Sequence, residues 1–174
     1  FEQRPMDKVL VVGMQQDNMR RRLWEDAFVE TMKQRDEPIT AVPSYTLFPD
    51  NIPDTVAVKE QVQNRGFDGV LVVTGIAKEE YLQKYPGYYA EQPVTRYSPW
   101  WNAYYTHYET VYYPGYIERE TAVRVAADLL STNGDGRLVW SGVSETVDPA
   151  SRQQVKSSVS DVMVEDLAEA NLIL

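Results

Sequence analysis

The 174-residue sequence contains no cysteine and a single histidine, His107. Thiol nucleophiles, cysteine-held zinc, iron–sulfur clusters and multi-histidine metal sites are thereby excluded, and neither a metal nor a cofactor is expected. Basic charge is scarce: 17 Lys and Arg stand against 26 Asp and Glu, a formal net charge of −9. Nucleic-acid affinity comes largely from basic side chains displacing counterions, so nucleic acid is not an expected partner. Long apolar runs are missing, which leaves no candidate for a membrane-spanning helix. Glycine-rich phosphate loops of the GxGxxG or GxxxxGK[ST] type are missing as well. What remains, 43% hydrophobic and 25% charged residues, describes one globular domain that buries roughly 70% of its unfolded surface without a metal or disulfide staple. The chain opens at Phe1 rather than Met. A removed secretory or lipoprotein signal explains that start, as does a tag scar.

Lys8-Val-Leu-Val-Val-Gly13 is a short continuous apolar run ending in glycine, the pattern of a strand covered on both faces. Asp17 is a good N-cap for a helix reaching Arg35, with Met19, Leu23, Trp24, Ala27, Phe28 and Met32 as its apolar stripe and Glu25, Asp26, Glu30 and Lys33 off it. A second strand is predicted from Ile39 to Val42, stopped by Pro43, with Pro49 and Pro53 holding a loop. Asp54 caps a shorter helix that carries Val58 and Val62 and ends at Gly66, where a left-handed residue is wanted. Gly69-Val-Leu-Val-Val-Thr74 repeats the first strand, and two βαβ units force the three strands parallel. Asp68, just before that strand, is expected to hydrogen-bond its entry.

The composition changes over residues 81–116, which hold 11 of the 12 tyrosines, Trp100, Trp101 and four prolines. No helical or two-residue period runs through them. An irregular aromatic insert is predicted, its second half beginning a strand from about Ala103. From Tyr116 alternation returns, with Thr121, Val123, Val125, Ala127 and Leu129 on one face and Arg124 and Asp128 on the other. Asn133-Gly-Asp-Gly136 then turns the chain into an antiparallel partner over 137–144, in which Trp140 is expected to pack in the core or on the sheet face. Asp148-Pro149 opens a last helix with Val155, Val159, Val162, Met163 and Leu167 as one stripe. The expected fold is α/β (α+β), a single domain over 1–174: a mixed five-stranded sheet in the order β-α-β-α-β, aromatic insert, β-β-α, with helices packed on it.

The first strand, the Met-Arg-Arg-Arg-Leu-Trp-Glu-Asp-Ala-Phe helix and the Gly-Phe-Asp-Gly-Val-Leu-Val strand resemble the α/β domain of CsgG-like and TolB-N-terminal-like proteins of bacterial envelopes. Asp128-Leu-Leu, the Gly-Asp-Gly turn, Leu138-Val-Trp-Ser-Gly142 and the closing helix are similar to a family of uncharacterised bacterial envelope lipoproteins. The resemblance covers all but the aromatic segment and transfers no catalytic residue; the lipobox cysteine of such proteins is not in this sequence. It implies a periplasmic protein, tied to the outer membrane through a removed N-terminal lipid anchor, with a role in adhesion, assembly or envelope maintenance.

Candidate chemistry is sparse. Asp17, Arg20 and Arg21 follow a strand and open a helix, the place where doubly wound sheets take phosphates, and basic residues at a helix start make an anion site worth naming. Neutralisation of the arginines by Asp17, Glu25 and Asp26 is the ordinary explanation. Ser131 to Gly142 echoes a calcium loop, yet its twelfth position is glycine where a bidentate Glu is needed, and a hairpin turn explains its glycines. His107 has no GxSxG elbow to serve. Glu79, Glu80, Glu91, Glu109, Glu118 and Glu120 surround the aromatic stretch and leave carboxylate-dependent glycan hydrolysis as an alternative.

The aromatic tract is the strongest clue to function. Tyr and Trp give stiff contact area with a polar handle. Tyr88, Tyr89, Tyr97, Trp100, Trp101, Tyr104, Tyr105 and Tyr108 are the candidate contact residues for an envelope protein, a second copy of the chain, or peptidoglycan. A self-packing excursion over the sheet is the structural alternative. A non-catalytic envelope domain is the expected function; a cell-wall glycan-binding module or hydrolase is the competing one.

Overall fold

The computed structural model describes residues 4–37, 39–100, 102–134, 136–147 and 152–174. Its contacts divide the chain into two compact units, one of Phe1–Glu79 with Thr121–Leu174 and one of Glu80–Glu120. The α/β class holds: a mixed sheet carries packed helices, and the sheet has the five expected strands.

In the first unit, β1 (Lys8–Gly13) pairs in parallel with β2 (Thr40–Pro43) on one side and β3 (Gly69–Tyr85) on the other. Next come β6 (Tyr116–Ser131) and β7 (Arg137–Val147), giving the order β2-β1-β3-β6-β7. The antiparallel β6–β7 ladder shifts register between Leu129 and Leu130. Gly134 and Gly136 take the positive φ angles, 89° and 81°, that the predicted turn requires.

Both faces of β1 are covered, which is why its run is continuously apolar. Val9 and Val11 join Leu71, Val73, Val125, Ala127 and Leu129 beneath α1 (Asn18–Lys33) and α3 (Arg152–Glu169). Leu10, Val12 and Val70 meet Val62 of α2 (Thr55–Arg65) and Phe67 in a second cluster. Each fully buried aliphatic side chain stabilises this arrangement by about 1.5–3 kcal/mol. Met6 bridges to Ile173, tying the end of the chain to the entry of β1. Asp54 caps α2 by accepting from Ala57 N at 2.7 Å, and Gly66 closes it at φ 63°. Asp68 accepts from Lys8 N at 3.0 Å, a strand-entry contact made to β1 and not to the strand that Asp68 precedes. Trp140 packs against the core and donates its indole N–H to Asp166 at 2.7 Å.

Three expectations need correction. The stripe of α1 is rotated: Met19 and Leu23 are exposed, whereas Arg21 and Glu25 are buried beside Trp24, Phe28 and Met32. The reason is a polar network that the loop after β2 completes. In α3, Val162 is exposed and Val164 takes its place with Val155, Val159, Met163 and Leu167, a shift of the core face relative to the predicted stripe. The expected cap at Asp148-Pro149 lies outside the described residues.

The third correction concerns the insert, which is regular. In the second unit β4 (Tyr88–Ser98) and β5 (Ala103–Tyr113) pair antiparallel through eleven consecutive residue pairs without a shift. The two-residue period is hidden because aromatic side chains sit on both faces and Pro93 falls within a strand. A two-stranded sheet tolerates that proline, since one side of each strand needs no ladder bond.

Candidate functional site

Directly opposed residues of an antiparallel pair share a face, so the register sorts the hairpin side chains. One face carries Tyr89 opposite Tyr112, Pro93 opposite Tyr108, and Tyr97 opposite Tyr104. Between these rows lie Glu91 with Thr110, and Thr95 with Thr106, whose hydroxyls meet at 2.9 Å. Aromatic rows therefore recur about every 13 Å, four strand residues apart. The five tyrosines of this face are 47–76% exposed, and Glu91 is its one charge among the described hairpin residues. Rings stay ordered by one another: Tyr89 and Tyr112 lie 4.9 Å apart, Tyr97 and Tyr104 5.3 Å.

The other face is built differently. Tyr88 stacks on Tyr113 at 5.0 Å, and Ala90, Val94 and Val111 are half-buried. Glu109 accepts from His107 Nε2 and from Arg96 Nη2, each at 2.8 Å. The imidazole contact, ahead of the Arg96 charge, holds the Glu109 carboxyl below its usual range. His107 Nδ1 has no hydrogen-bond partner among the described residues. The lone histidine thus sits in a surface charge cluster rather than beside a serine nucleophile. Glu91 and Glu109 point to opposite faces and do not flank a common substrate position.

At the turn, Trp100 is 95% exposed, and Asn102 adopts φ 45° and accepts from the Tyr97 hydroxyl. No charged residue occurs from 97 to 106. At the other end, the chain enters as Tyr85-Pro86-Gly87-Tyr88-Tyr89 and leaves as Tyr112-Tyr113-Pro114-Gly115-Tyr116. Tyr85 stacks on Tyr116 at 4.7 Å. The backbones come so close here that a Cβ at Gly115 would lie 2.6 Å from Gly87 N and 2.7 Å from Tyr85 O. Proline–glycine pairs are what such an approach permits.

Of the candidate contact residues, Tyr89, Tyr97, Tyr104 and Tyr108 share the open face, Tyr88 and Tyr105 lie on the other, Trp100 caps the turn, and Trp101 lies outside the described residues. Tyr112 completes the open face and is missing from the set that composition suggests; the paired Tyr-Pro-Gly-Tyr strings are the signal that the two strands mirror each other.

The candidate anion site is not assembled. Asp17 caps α1 by accepting from Arg20 N at 2.9 Å, and Arg20 is exposed. Arg21 leaves the set: it is buried and donates to Glu25 at 3.1 Å and to Asn51 O, Ser44 Oγ and Phe48 O at 2.9 Å each. Glu25 in turn accepts from Gly13 N, Ser44 Oγ and Tyr45 N. This pair fastens the 44–51 loop to the end of β1, and its donors are committed within the chain. Glu79, one of the surrounding carboxylates, pairs with Arg124 at 3.3 Å.

No protein-family model matches the chain, and no curated protein does. Among solved structures it is similar to a PDZ domain protein from Parabacteroides distasonis, with 11% identity and a TM-score of 0.32. That match covers 90% of this chain, which spans 30% of the other. A likeness at this level carries no argument about fold or function.

Proposed function

We propose that this chain is a non-catalytic domain of a bacterial envelope lipoprotein, periplasmic and lipid-anchored to the outer membrane in the full-length protein, acting through protein contacts. The observation that carries the contact reading is the open hairpin face, where five tyrosines stand exposed in ordered rows with one charge among them. Stiff aromatic side chains lose little entropy when a partner covers them, and their hydroxyls satisfy polar groups at the rim. The setting rests on the resemblance to envelope lipoproteins. Photo-crosslinking from Tyr104 in intact envelopes tests the reading. A discrete adduct is expected, lost in a Tyr89→Thr/Tyr97→Thr variant; labelling no different from that at an exposed residue of α2 would sink it.

Trp100 at the turn favours a second reading, stacking on cell-wall glycan. Titration with peptidoglycan fragments, followed by Trp fluorescence and repeated with Trp100→Ala, decides between the two. The protein-contact reading expects no saturable change at millimolar sugar.

A further inference from the structure

The hairpin offers a second surface, its edge, distinct from the tyrosine face. In a two-stranded sheet each strand has one unpaired side. Natural edges are blunted by Pro, charged side chains or a bulge. The β4 edge is blunted in this way, with Pro93 at its middle and Glu91 and Arg96 on either side. The β5 edge, Ala-Tyr-Tyr-Thr-His-Tyr-Glu-Thr-Val-Tyr-Tyr, has no proline, lysine, arginine or bulge, Glu109 is its one acidic charge, and its eleven-residue register is unbroken.

That strand is also nearly palindromic about Tyr108. Laid antiparallel against itself, it sets Tyr108 opposite Tyr108 of a second copy, His107 opposite Glu109, Thr106 opposite Thr110, Tyr105 opposite Val111 and Tyr104 opposite Tyr112. Every one of these is a favourable cross-strand pair. Moving the axis one residue either way places His107 against itself or Glu109 against itself.

We infer that two copies of this chain join edge to edge through β5, as an isologous antiparallel pair centred on Tyr108, forming the four-stranded sheet β4-β5-β5-β4. The pairing satisfies the open backbone groups of both strands and joins the two tyrosine faces into one surface. A contact of this size lies at the small end of specific interfaces, so the dimer is concentration-dependent.

Sedimentation velocity of the chain from roughly 1 to 300 µM should show a monomer–dimer shift, because contacts of this class dissociate in the micromolar range. The Tyr108→Cys variant tests the register in a sequence without native cysteine. Directly opposed residues lie about 4.5–5.5 Å apart, within disulfide reach. Tyr108→Cys should crosslink to itself, and Tyr104→Cys only when mixed with Tyr112→Cys. Glu109→Lys should weaken the dimer about tenfold or more, since it replaces the acceptor opposite His107 with a donor. The exchange His107→Glu/Glu109→His should restore it. A monomer throughout the range, self-crosslinking of Tyr104→Cys as fast as Tyr108→Cys, or a dimer that crosslinks through Glu91→Cys on β4 would overturn the proposal. Tyr89→Thr/Tyr97→Thr leaves the β5 edge intact, so loss of partner contact and loss of the dimer are separable results.

Discussion

Strand β6 has residues in both units and is buried differently in each. Between 123 and 131, β6 alternates: Val125, Ala127 and Leu129 have no exposed surface, and their neighbours are more open. From Tyr116 to Arg119 every residue is exposed, although Tyr116 and Ile117 carry large apolar surfaces of the kind the core buries. Apolar side chains in the first unit hold it together, so their loss is felt as stability. In the second unit they stand outside, and their loss should be felt in what the protein touches.

The sharpest contrast should come from the buried pair in the first unit. Removing one partner strands a buried charge, which typically costs about 3–5 kcal/mol. Glu25→Ala is therefore expected to lower the urea midpoint strongly, with Gly13 N and Tyr45 N also losing their acceptor. Arg21→Met/Glu25→Leu should lose less than Glu25→Ala. Equal losses would show that the pair acts through its shape rather than its charges.

This network marks where the sequence is hard to read. A charged i, i+4 pair on a helix ordinarily faces water, and nothing local to Arg21 and Glu25 shows that Ser44, Phe48 and Asn51 come to meet them. By contrast, Lys8-Val-Leu-Val-Val-Gly13 is legible because two-sided burial leaves only one composition for a strand. Gly66 is legible because only a left-handed residue closes α2 there. The hairpin is obscured by its own chemistry: Val94 and Val111 share one face with Glu109, Arg96 and Tyr88, and Glu91 and the threonines share the other with tyrosines, so polar and apolar residues do not alternate. Its aromatic rings are readable as a composition, their sharing of one face only from the register.

Next in size is Gly115→Ala. Its Cβ would press on the backbone of Gly87 and Tyr85, and relief by backbone shift costs about 1–3 kcal/mol. Hydrogen exchange should quicken across 80–120 and stay unchanged in β1 and α1. Faster exchange in both would mean that the two units unfold as one.

The smallest effect concerns pH. Glu109 has a depressed pKa when folded, so its contribution is present above the unfolded value and fades as pH falls through the folded one. Acidification below its ordinary value of 4.5 should loosen the contacts to His107 and Arg96. Carboxyl chemical shifts followed by NMR should place the Glu109 midpoint below its ordinary value of 4.5; a midpoint at or above that value would remove the cluster as an ordering element.

Thermal unfolding of Tyr89→Thr/Tyr97→Thr/Tyr104→Thr/Tyr108→Thr beside Phe28→Ala tests most directly whether the rings are displayed rather than packed. Threonine keeps the preference for strand, and exposed positions contribute little, so the quadruple variant should melt within about 3 °C of the parent while Phe28→Ala falls by about 10 °C. A fall of the quadruple variant as large as that of Phe28→Ala would make the tyrosines part of what holds the protein together and would contradict the account.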